Sequence, residues 1–335
     1  MKNLYKMMFT TTLMTGTLIA ISSNSWMTMW IGLEINLLSI IPLMSNIKNK
    51  MESEAAMKYF ITQAMASTIF LLAIIILLSN NNVLMSNKMP SMMLDLAILT
   101  KMGAAPFHFW FPEVMEGLSW NNSMIMLTWQ KIAPMVIFMY SNKPLMFTIT
   151  IIILSMMISG LMGINQTSMR KILAYSSINH IGWMVSATIT NQTIWIIYFM
   201  IYSLMTINMT FMFKLMNISF MNQLINSMSK KKLIKIMFSL NFLSLGGIPP
   251  FIGFFPKWIT INSLTQNNMF TLTLTMIIST LMTLAFYMRI TLSSGIMPMA
   301  ETSFKNYEMN LKKIIISNFT VLSLLGMSPL MTNFT

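Results

Sequence analysis

Long apolar runs separated by short polar gaps extend along almost the whole chain. A run of about 20 mostly apolar residues is the length that a helix needs to cross the hydrocarbon core of a membrane. Eleven such runs predict eleven transmembrane helices, at residues 4–22, 25–46, 57–79, 91–120, 122–140, 144–165, 172–190, 193–216, 233–266, 271–290 and 312–331. The fold class predicted is an all-α polytopic membrane protein, with residues 1–335 as one transmembrane domain.

The first run has an alternative interpretation. Lys2 and Lys6 precede an apolar stretch, as the basic residues of a secretory signal peptide do. No clean cleavage site with small residues follows, and the next spanning run begins at once. We therefore interpret the first run as a transmembrane helix.

The amino-acid composition agrees with a chain surrounded by lipid. Hydrophobic residues make up 55% of the chain and charged residues 9%, whereas soluble domains carry about a quarter charged residues. The net charge of +13 would suit a nucleic-acid partner, but most basic residues lie in the short gaps between apolar runs. In such gaps they mark membrane topology. We expect phospholipids as partners and no nucleic acid.

The basic residues sort strongly between the two sides of the membrane. With eleven single crossings, one side receives only Lys88 and Lys143. The other side receives Lys2, Lys6, Lys48, Lys50, Arg170, Lys171, Lys214, Lys230, Lys231, Lys232, Lys235, Arg289, Lys305, Lys312 and Lys313. The positive-inside rule then predicts the N-terminus on the matrix or cytoplasmic face and the C-terminus on the opposite face.

Cysteine and methionine contents bear on cofactors and origin. The chain has no cysteine and two histidines, which excludes iron–sulfur clusters, disulfides and thiolate zinc sites. No glycine-rich phosphate loop is present, so we expect neither a cofactor nor a metal in this chain. The 43 methionines, with frequent Ile, Asn, Lys and Phe, suggest an A/T-rich genome with an expanded methionine code. We take this as a sign of a mitochondrial origin of arthropod type.

Five charged residues fall inside predicted helices: Glu34, Lys58, Lys101, Lys131 and Lys257. A charge at the middle of a bilayer costs at least ~2.5–3.5 kcal/mol, so each is a functional candidate. Glu34 lies about nine residues from either end of its helix, which is ~14 Å deep at 1.5 Å per residue. Its alternative role is a structural ion pair inside the bundle. We separately predict that Glu34 and Lys101 pair across neighbouring helices, because a lone charge in either place would be costly.

Lys101 and Lys257 flank two predicted helix breaks. Breaks at membrane depth are tolerated where the helix faces protein or a watery cavity, and transporters place ion sites there. Lys131 is central in its helix, and Pro134 cannot donate to the carbonyl of Gln130. We interpret the three lysines as proton-relay candidates, with snorkelling to the interface as the alternative.

Three further side chains are secondary candidates. Lys58 lies within one turn of a predicted helix start, so we interpret it first as an interface anchor. His180 fits a hydrogen-bonded interior residue as well as a relay, and His108 follows the first break. Asp95, Glu113 and Glu116 lie near the ends of the fourth run, which predicts positions at the membrane interface.

The two breaks share the pattern G-x-x-P-F-x-x-aromatic-F-P, at residues 103–112 and 247–256. They lie in the fourth and ninth runs, an odd number of crossings apart, so the two copies have opposite orientations in the membrane. Such inverted repeats are typical of transporter cores. We predict repeats at about residues 1–140 and 144–290, followed by a last helix at about 312–331.

The sequence resembles the antiporter-like membrane subunits of respiratory complex I. The resemblance rests on residues 32–36 (GLEIN), 54–60 (EAAMKYF), 101–110 (KMGAAPFHFW), 129–134 (WQKIAP), 174–183 (AYSSINHIGW) and 245–251 (LGGIPPF). It implies a proton-pumping subunit of NADH:ubiquinone oxidoreductase that lies beside other antiporter-like and small membrane subunits. Flavin mononucleotide, iron–sulfur clusters and ubiquinone are then expected in other subunits. The implied relay runs through Glu34, Lys101, Lys131 and Lys257.

Two other functions stay open from the sequence. Buried Glu and Lys residues suit a free-standing cation/proton antiporter of the same fold equally well. A structural membrane-arm subunit with vestigial charges is the third possibility.

Overall fold

A computed structural model describes residues 2–46, 49–79, 88–141, 144–229, 232–249 and 251–296 of the chain. Within these ranges there are fourteen helices and no strand, apart from one isolated bridge between Ser168 and Phe220. The helices group into two compact units that divide inside one helix, after Ser155. The all-α class predicted from the apolar runs is confirmed for this part of the chain.

The first unit is formed by α1 to α7 and the start of α8. Their bounds are α1 Lys2–Ser22, α2 Trp26–Met44, α3 Lys50–Ser79, α4 Lys88–Met102, α5 Trp110–Gly117, α6 Trp120–Leu127, α7 Trp129–Tyr140 and α8 Leu145–Ile164. Helix α1 packs on α2, while α3 packs on both α4 and α5, and α7 packs on α4. Gly32 allows the first contact, because a Cβ atom there would lie 2.6 Å from the backbone nitrogen of Ala20.

The second unit is formed by the rest of α8 and six further helices. Their bounds are α9 Met169–Thr190, α10 Gln192–Met216, α11 Met221–Ser229, α12 Lys232–Gly246, α13 Phe254–Gln266 and α14 Phe270–Ile296. Helix α9 lies at the centre, since 17 of its 22 residues are buried, and α10, α13 and α14 pack against it. A helix buried on all sides needs few charges, and α9 keeps its two basic residues in its first turn.

Ten of the eleven predicted runs coincide with helices, and the eleventh, at 312–331, lies outside the described residues. Four details of the prediction were wrong. Helix α3 begins at Lys50 instead of residue 57, α14 ends at Ile296 instead of residue 290, the fifth run is interrupted at Thr128, and the short helix α11 was missed. In the described part, six helices are long and apolar enough to cross a membrane by themselves. The total of eleven crossings therefore stays a prediction.

Candidate functional site

The first break lies between α4 and α5, in the first unit. Helix α4 ends at Met102, and Gly103 adopts a left-handed conformation with φ 76°. The amide of Gly103 donates to the carbonyl of Thr100 (3.1 Å), and that of Ala104 donates to the carbonyl of Leu99 (3.0 Å). This is the Schellman type of helix end, which favours glycine because a side chain at positive φ is strained.

Side chains of two other helices add further donors to the carbonyls of this helix end. The indole nitrogen of Trp110, the first residue of α5, donates to the carbonyl of Thr100 (3.1 Å). The amide Nε2 of Gln63 on α3 donates to the carbonyl of Lys101 (3.3 Å). A backbone carbonyl left without a partner in a membrane interior costs several kcal/mol, so these contacts hold the break in place.

Lys101 belongs to the last turn of α4, and its side chain is only 8% exposed. A cation is favoured at this end of a helix, because the carbonyl groups give it a partial negative charge. The predicted partner Glu34, on α2, attracts Lys101 electrostatically. Among the described residues, however, no direct ion pair joins the two. The expected pair is thus corrected to a longer-range interaction.

Glu34 itself lies at the ninth of the 19 residues of α2 and is half-buried. Its Oε1 atom is buried and makes no hydrogen bond within the described part of the chain. The central position predicted from the sequence therefore agrees with the observed helix.

A small cavity of about 10 Å³ lies beside Lys101, which is room for roughly one water molecule. Its wall combines three aliphatic or proline side chains with one cation and four neutral polar side chains: Leu33, Leu37, Pro134, Lys101, Asn36, Tyr59, Gln63 and Gln130. Gln130 donates from Nε2 to Oδ1 of Asn36 (2.9 Å), and the hydroxyl of Tyr59 donates to Oε1 of Gln130 (3.5 Å). The cavity can therefore hold a water on polar groups from four helices.

Lys131 follows Gln130 on α7, and its side chain is 2% exposed. Its Nζ atom lies 5.6 Å from the centre of the Phe111 ring, within the range of a cation–π interaction. Pro134 and Gln130 both line the cavity, and proline has no amide hydrogen to donate to the Gln130 carbonyl. Helices α4 and α7 pack together, so Lys101 and Lys131 belong to neighbouring elements.

The second break, in the second unit, has the same backbone geometry. Helix α12 ends at Gly246, and Gly247 has φ 74°. The amide of Gly247 donates to the carbonyls of Ser244 (3.0 Å) and Leu243 (3.1 Å), and that of Ile248 donates to the carbonyl of Leu243 (3.4 Å). Pro250, which belongs to the repeated sequence pattern, lies outside the described residues.

Lys257 reaches back across this break from α13. Its Nζ atom donates to the carbonyl of Gly246 (2.8 Å) and lies 5.9 Å from the centre of the Trp183 ring on α9. The side chain is 6% exposed. The ammonium group therefore caps the negative end of α12, as Lys101 lies at the negative end of α4.

Lys58 has a different setting from the other lysines. It lies two turns inside α3, because that helix begins at Lys50, and its Nζ atom donates to Oε2 of Glu113 on α5 (2.7 Å). The two side chains are 53% and 56% exposed. The prediction that Lys58 is within one turn of the helix start was wrong. Asp95, predicted at the interface, is fully buried on α4, whereas Glu113 is exposed.

Both histidines are buried and make hydrogen bonds through Nδ1. His180 on α9 is 2.9 Å from the hydroxyl of Tyr198, and its ring also contacts Tyr202. His108, between α4 and α5, is 3.2 Å from the carbonyl of Pro106. The interior hydrogen-bonded position expected for His180 is present.

Sequence reasoning missed the neutral side chains that surround the lysines. Asn36, Tyr59 and Gln130 belong to the GLEIN, EAAMKYF and WQKIAP segments, and Trp183 ends the AYSSINHIGW segment. A charge inside an apolar run is visible in the sequence, but an amide or a hydroxyl there is common. Asn36, Tyr59 and Gln130 lie in the same short segments as Glu34, Lys58 and Lys131, and this proximity in sequence could have identified them as candidates.

A family profile described as "NADH:quinone oxidoreductase/Mrp antiporter, TM" matches residues 23–283. NADH-ubiquinone oxidoreductase chain 2 of Anopheles gambiae is 50% identical over 88% of this chain and 86% of the relative. The protein of the same description from Locusta migratoria is 46% identical over 97% of this chain and 96% of the relative.

Two solved structures share the fold. A chain of respiratory complex I from Thermus thermophilus with bound aureothin superimposes with a TM-score of 0.85, over 97% of this chain and 79% of that chain, at 22% identity. A chain of the Mrp complex from Dietzia sp. gives a TM-score of 0.75, over 89% of this chain and 61% of that chain, at 15% identity. At these identities the likeness concerns the fold alone.

The second break provides a test of how the lysine is held. Gly247→Ala places a Cβ atom 2.8 Å from Nζ of Lys257 and forces a side chain to adopt positive φ, which costs about 1–2 kcal/mol. We expect the midpoint of thermal unfolding to fall by about 2–4 °C.

Gly246→Ala is the matched control. Its Cβ atom would lie 3.6 Å from Tyr287, an ordinary contact, and its backbone is helical. We expect no loss of stability in this variant. Equal midpoints for the two variants would contradict the role assigned to Gly247.

Proposed function

Because the chain belongs to the NADH:quinone oxidoreductase/Mrp antiporter family, we propose that it carries protons through the membrane as a membrane-arm subunit of NADH:ubiquinone oxidoreductase. The observation that carries this proposal is the burial of Lys101, Lys131 and Lys257 inside helical units, two of them at helix breaks. Such charges are costly in a membrane unless they have a function. The chain is then a multi-pass protein of the mitochondrial inner membrane.

In this proposal Glu34 sets the charge state of Lys101. The carboxylate and the ammonium group carry opposite charges, so a change in the position or charge of Glu34 changes how firmly Lys101 holds its proton. The polar cavity beside Lys101 offers a place for the water that would receive that proton. Lys131 follows as the central station, and Lys257 is the last one, at the second break.

The remaining candidates have supporting roles. His180 and His108 can adjust hydrogen bonding near α9 and near the first break, but the relay does not require them to titrate. No group in this chain is assigned to redox chemistry, and we expect flavin, iron–sulfur clusters and ubiquinone in other subunits. Neighbouring antiporter-like and small membrane subunits, together with phospholipids, are the expected partners.

The orientation follows from the distribution of basic residues. We place the N-terminus in the matrix and the C-terminus on the intermembrane side. The segment 217–232 then faces the matrix, so protease added to the outside of mitoplasts should leave it intact. Cleavage there would reverse the orientation.

A free-standing cation/proton antiporter is the alternative function, since the description of the matching family profile also names the Mrp antiporter. Purification in mild detergent separates the two. We expect the chain to co-purify with flavin and iron–sulfur clusters, detected by absorbance and electron paramagnetic resonance. Isolation of the chain without these groups, with cation-dependent proton exchange after reconstitution, would support the antiporter instead.

Removing the charge of Glu34 tests its coupling to Lys101. We expect Glu34→Gln to lower NADH-driven proton uptake roughly tenfold, which corresponds to about 1.4 kcal/mol of lost interaction. Lys58→Met, at a half-exposed position, should have a smaller effect. Proton uptake in inner-membrane vesicles measures both. An equal or larger loss for Lys58→Met would remove Glu34 from the relay.

Lys131→Arg tests the central station. A relay lysine must spend part of its cycle neutral, whereas an arginine stays charged in proteins. We expect the Arg variant to assemble but to impair proton uptake about as severely as Lys131→Met. Normal uptake with arginine would mean that Lys131 is only a structural cation.

A further inference from the structure

The ion pair between Lys58 on α3 and Glu113 on α5 has no role in the proposed relay. The two residues are 55 positions apart in sequence, and the contact of 2.7 Å is a charge-assisted hydrogen bond. Glu54 and Glu116 also attract Lys58, but Glu113 is the acid that accepts its hydrogen bond. The pair therefore joins two specific helices.

A comparison of the two breaks explains why Glu113 needs a cationic partner. In both breaks the second half-helix begins seven residues after the left-handed glycine, Gly103 or Gly247. The tenth residue after the glycine is Glu113 in the first break and Lys257 in the second. Lys257 closes its own break by donating to the carbonyl of Gly246. A carboxylate cannot donate to a carbonyl, so Glu113 instead binds a cation on a neighbouring helix.

Two other contacts show that α5 packs closely against α3. The Tyr59 and Trp110 rings meet edge to face at 5.8 Å, next to the ion pair. At the other end of α5, a Cβ atom on Gly117 would lie 2.5 Å from the carbonyl oxygen of Met51. Only glycine allows this approach. The ion pair lies between these two contacts along α5.

The two joined helices supply the donors that close the first break. Trp110 on α5 donates to the carbonyl of Thr100, and Gln63 on α3 donates to the carbonyl of Lys101. Tyr59 and Gln63 also line the cavity beside Lys101. A shift of α3 relative to α5 would therefore disturb both donors and the cavity wall together.

We propose that the Lys58–Glu113 ion pair is a positioning device for the proton relay, which holds α3 and α5 in the register that keeps Lys101 and its cavity in place. The pair replaces, in the first break, the direct bond that Lys257 makes in the second. This inference rests on the proposed proton-carrying function. Lys58 and Glu113 are positioning residues and do not carry the proton themselves.

Single variants and a charge-reversed double variant of the pair test the proposal, in vesicles that contain the assembled complex. We expect Lys58→Met and Glu113→Gln each to lower the number of protons taken up per NADH oxidised measurably, by at most about fivefold, because an exposed ion pair contributes little free energy. The double variant Lys58→Glu with Glu113→Lys should restore most of the ratio. If the single variants acted only by removing a charge at one site, the reversed pair would not restore the ratio.

Glu54→Gln is the matched control, because Glu54 is an exposed acid one turn before Lys58 on α3. It should leave the proton ratio unchanged. Normal ratios in both single variants, or no rescue by the reversed pair in an assembled complex, would overturn the proposal. If the single and reversed variants fail to assemble, Lys58→Arg decides, since it keeps the pair: normal pumping supports the proposal and lost pumping overturns it.

The Lys131→Met variant distinguishes a failure of the proposed relay from a failure of the positioning proposal. If proton uptake does not respond to Lys131→Met, the proposed function is wrong. If it responds to Lys131→Met but to neither Lys58 nor Glu113 variants, the positioning proposal alone is wrong.

Discussion

The carbonyl groups at a helix end inside a membrane are the constraint on which the rest of this structure depends. Water is not available there, so each carbonyl needs a donor from the protein. Gly103 and Gly247 turn the chain so that backbone amides cover part of each end. The remaining carbonyls receive side-chain donors, and the partial negative charge favours a nearby cation. A helix break thereby creates a place where a lysine can be buried.

The two breaks use the same backbone and different side chains. In the second break Lys257 provides both the cation and the donor, through its bond to Gly246. In the first break the roles are divided, since Lys101 is the cation and neutral groups of other helices are the donors. This division leaves the ammonium group of Lys101 without a direct carboxylate partner within the described residues. It also places polar groups around a cavity large enough for one water.

The sequence determined the helices and the charges. Apolar run length predicts spanning helices because hydrocarbon thickness sets their length, and a charge within such a run stands out against its neighbours. Glu34, Lys101, Lys131 and Lys257 could be selected on that basis, and both breaks from their shared glycine and proline pattern. The interruption at Thr128 could not, because polar residues such as Thr128, Gln130 and Lys131 are compatible with an unbroken helix and do not by themselves indicate an interruption.

Tertiary structure alone decided the partners. Glu34 and Lys101 look like a pair in sequence, yet the described residues place Lys58 in an ion pair with Glu113 on another helix. Asn36, Tyr59, Gln63 and Gln130 surround one cavity although none is charged. The physical reason is that membrane insertion depends on each residue's own transfer free energy, which the sequence contains. Hydrogen bonds and ion pairs between helices depend on packing and register, which arise only when the helices meet.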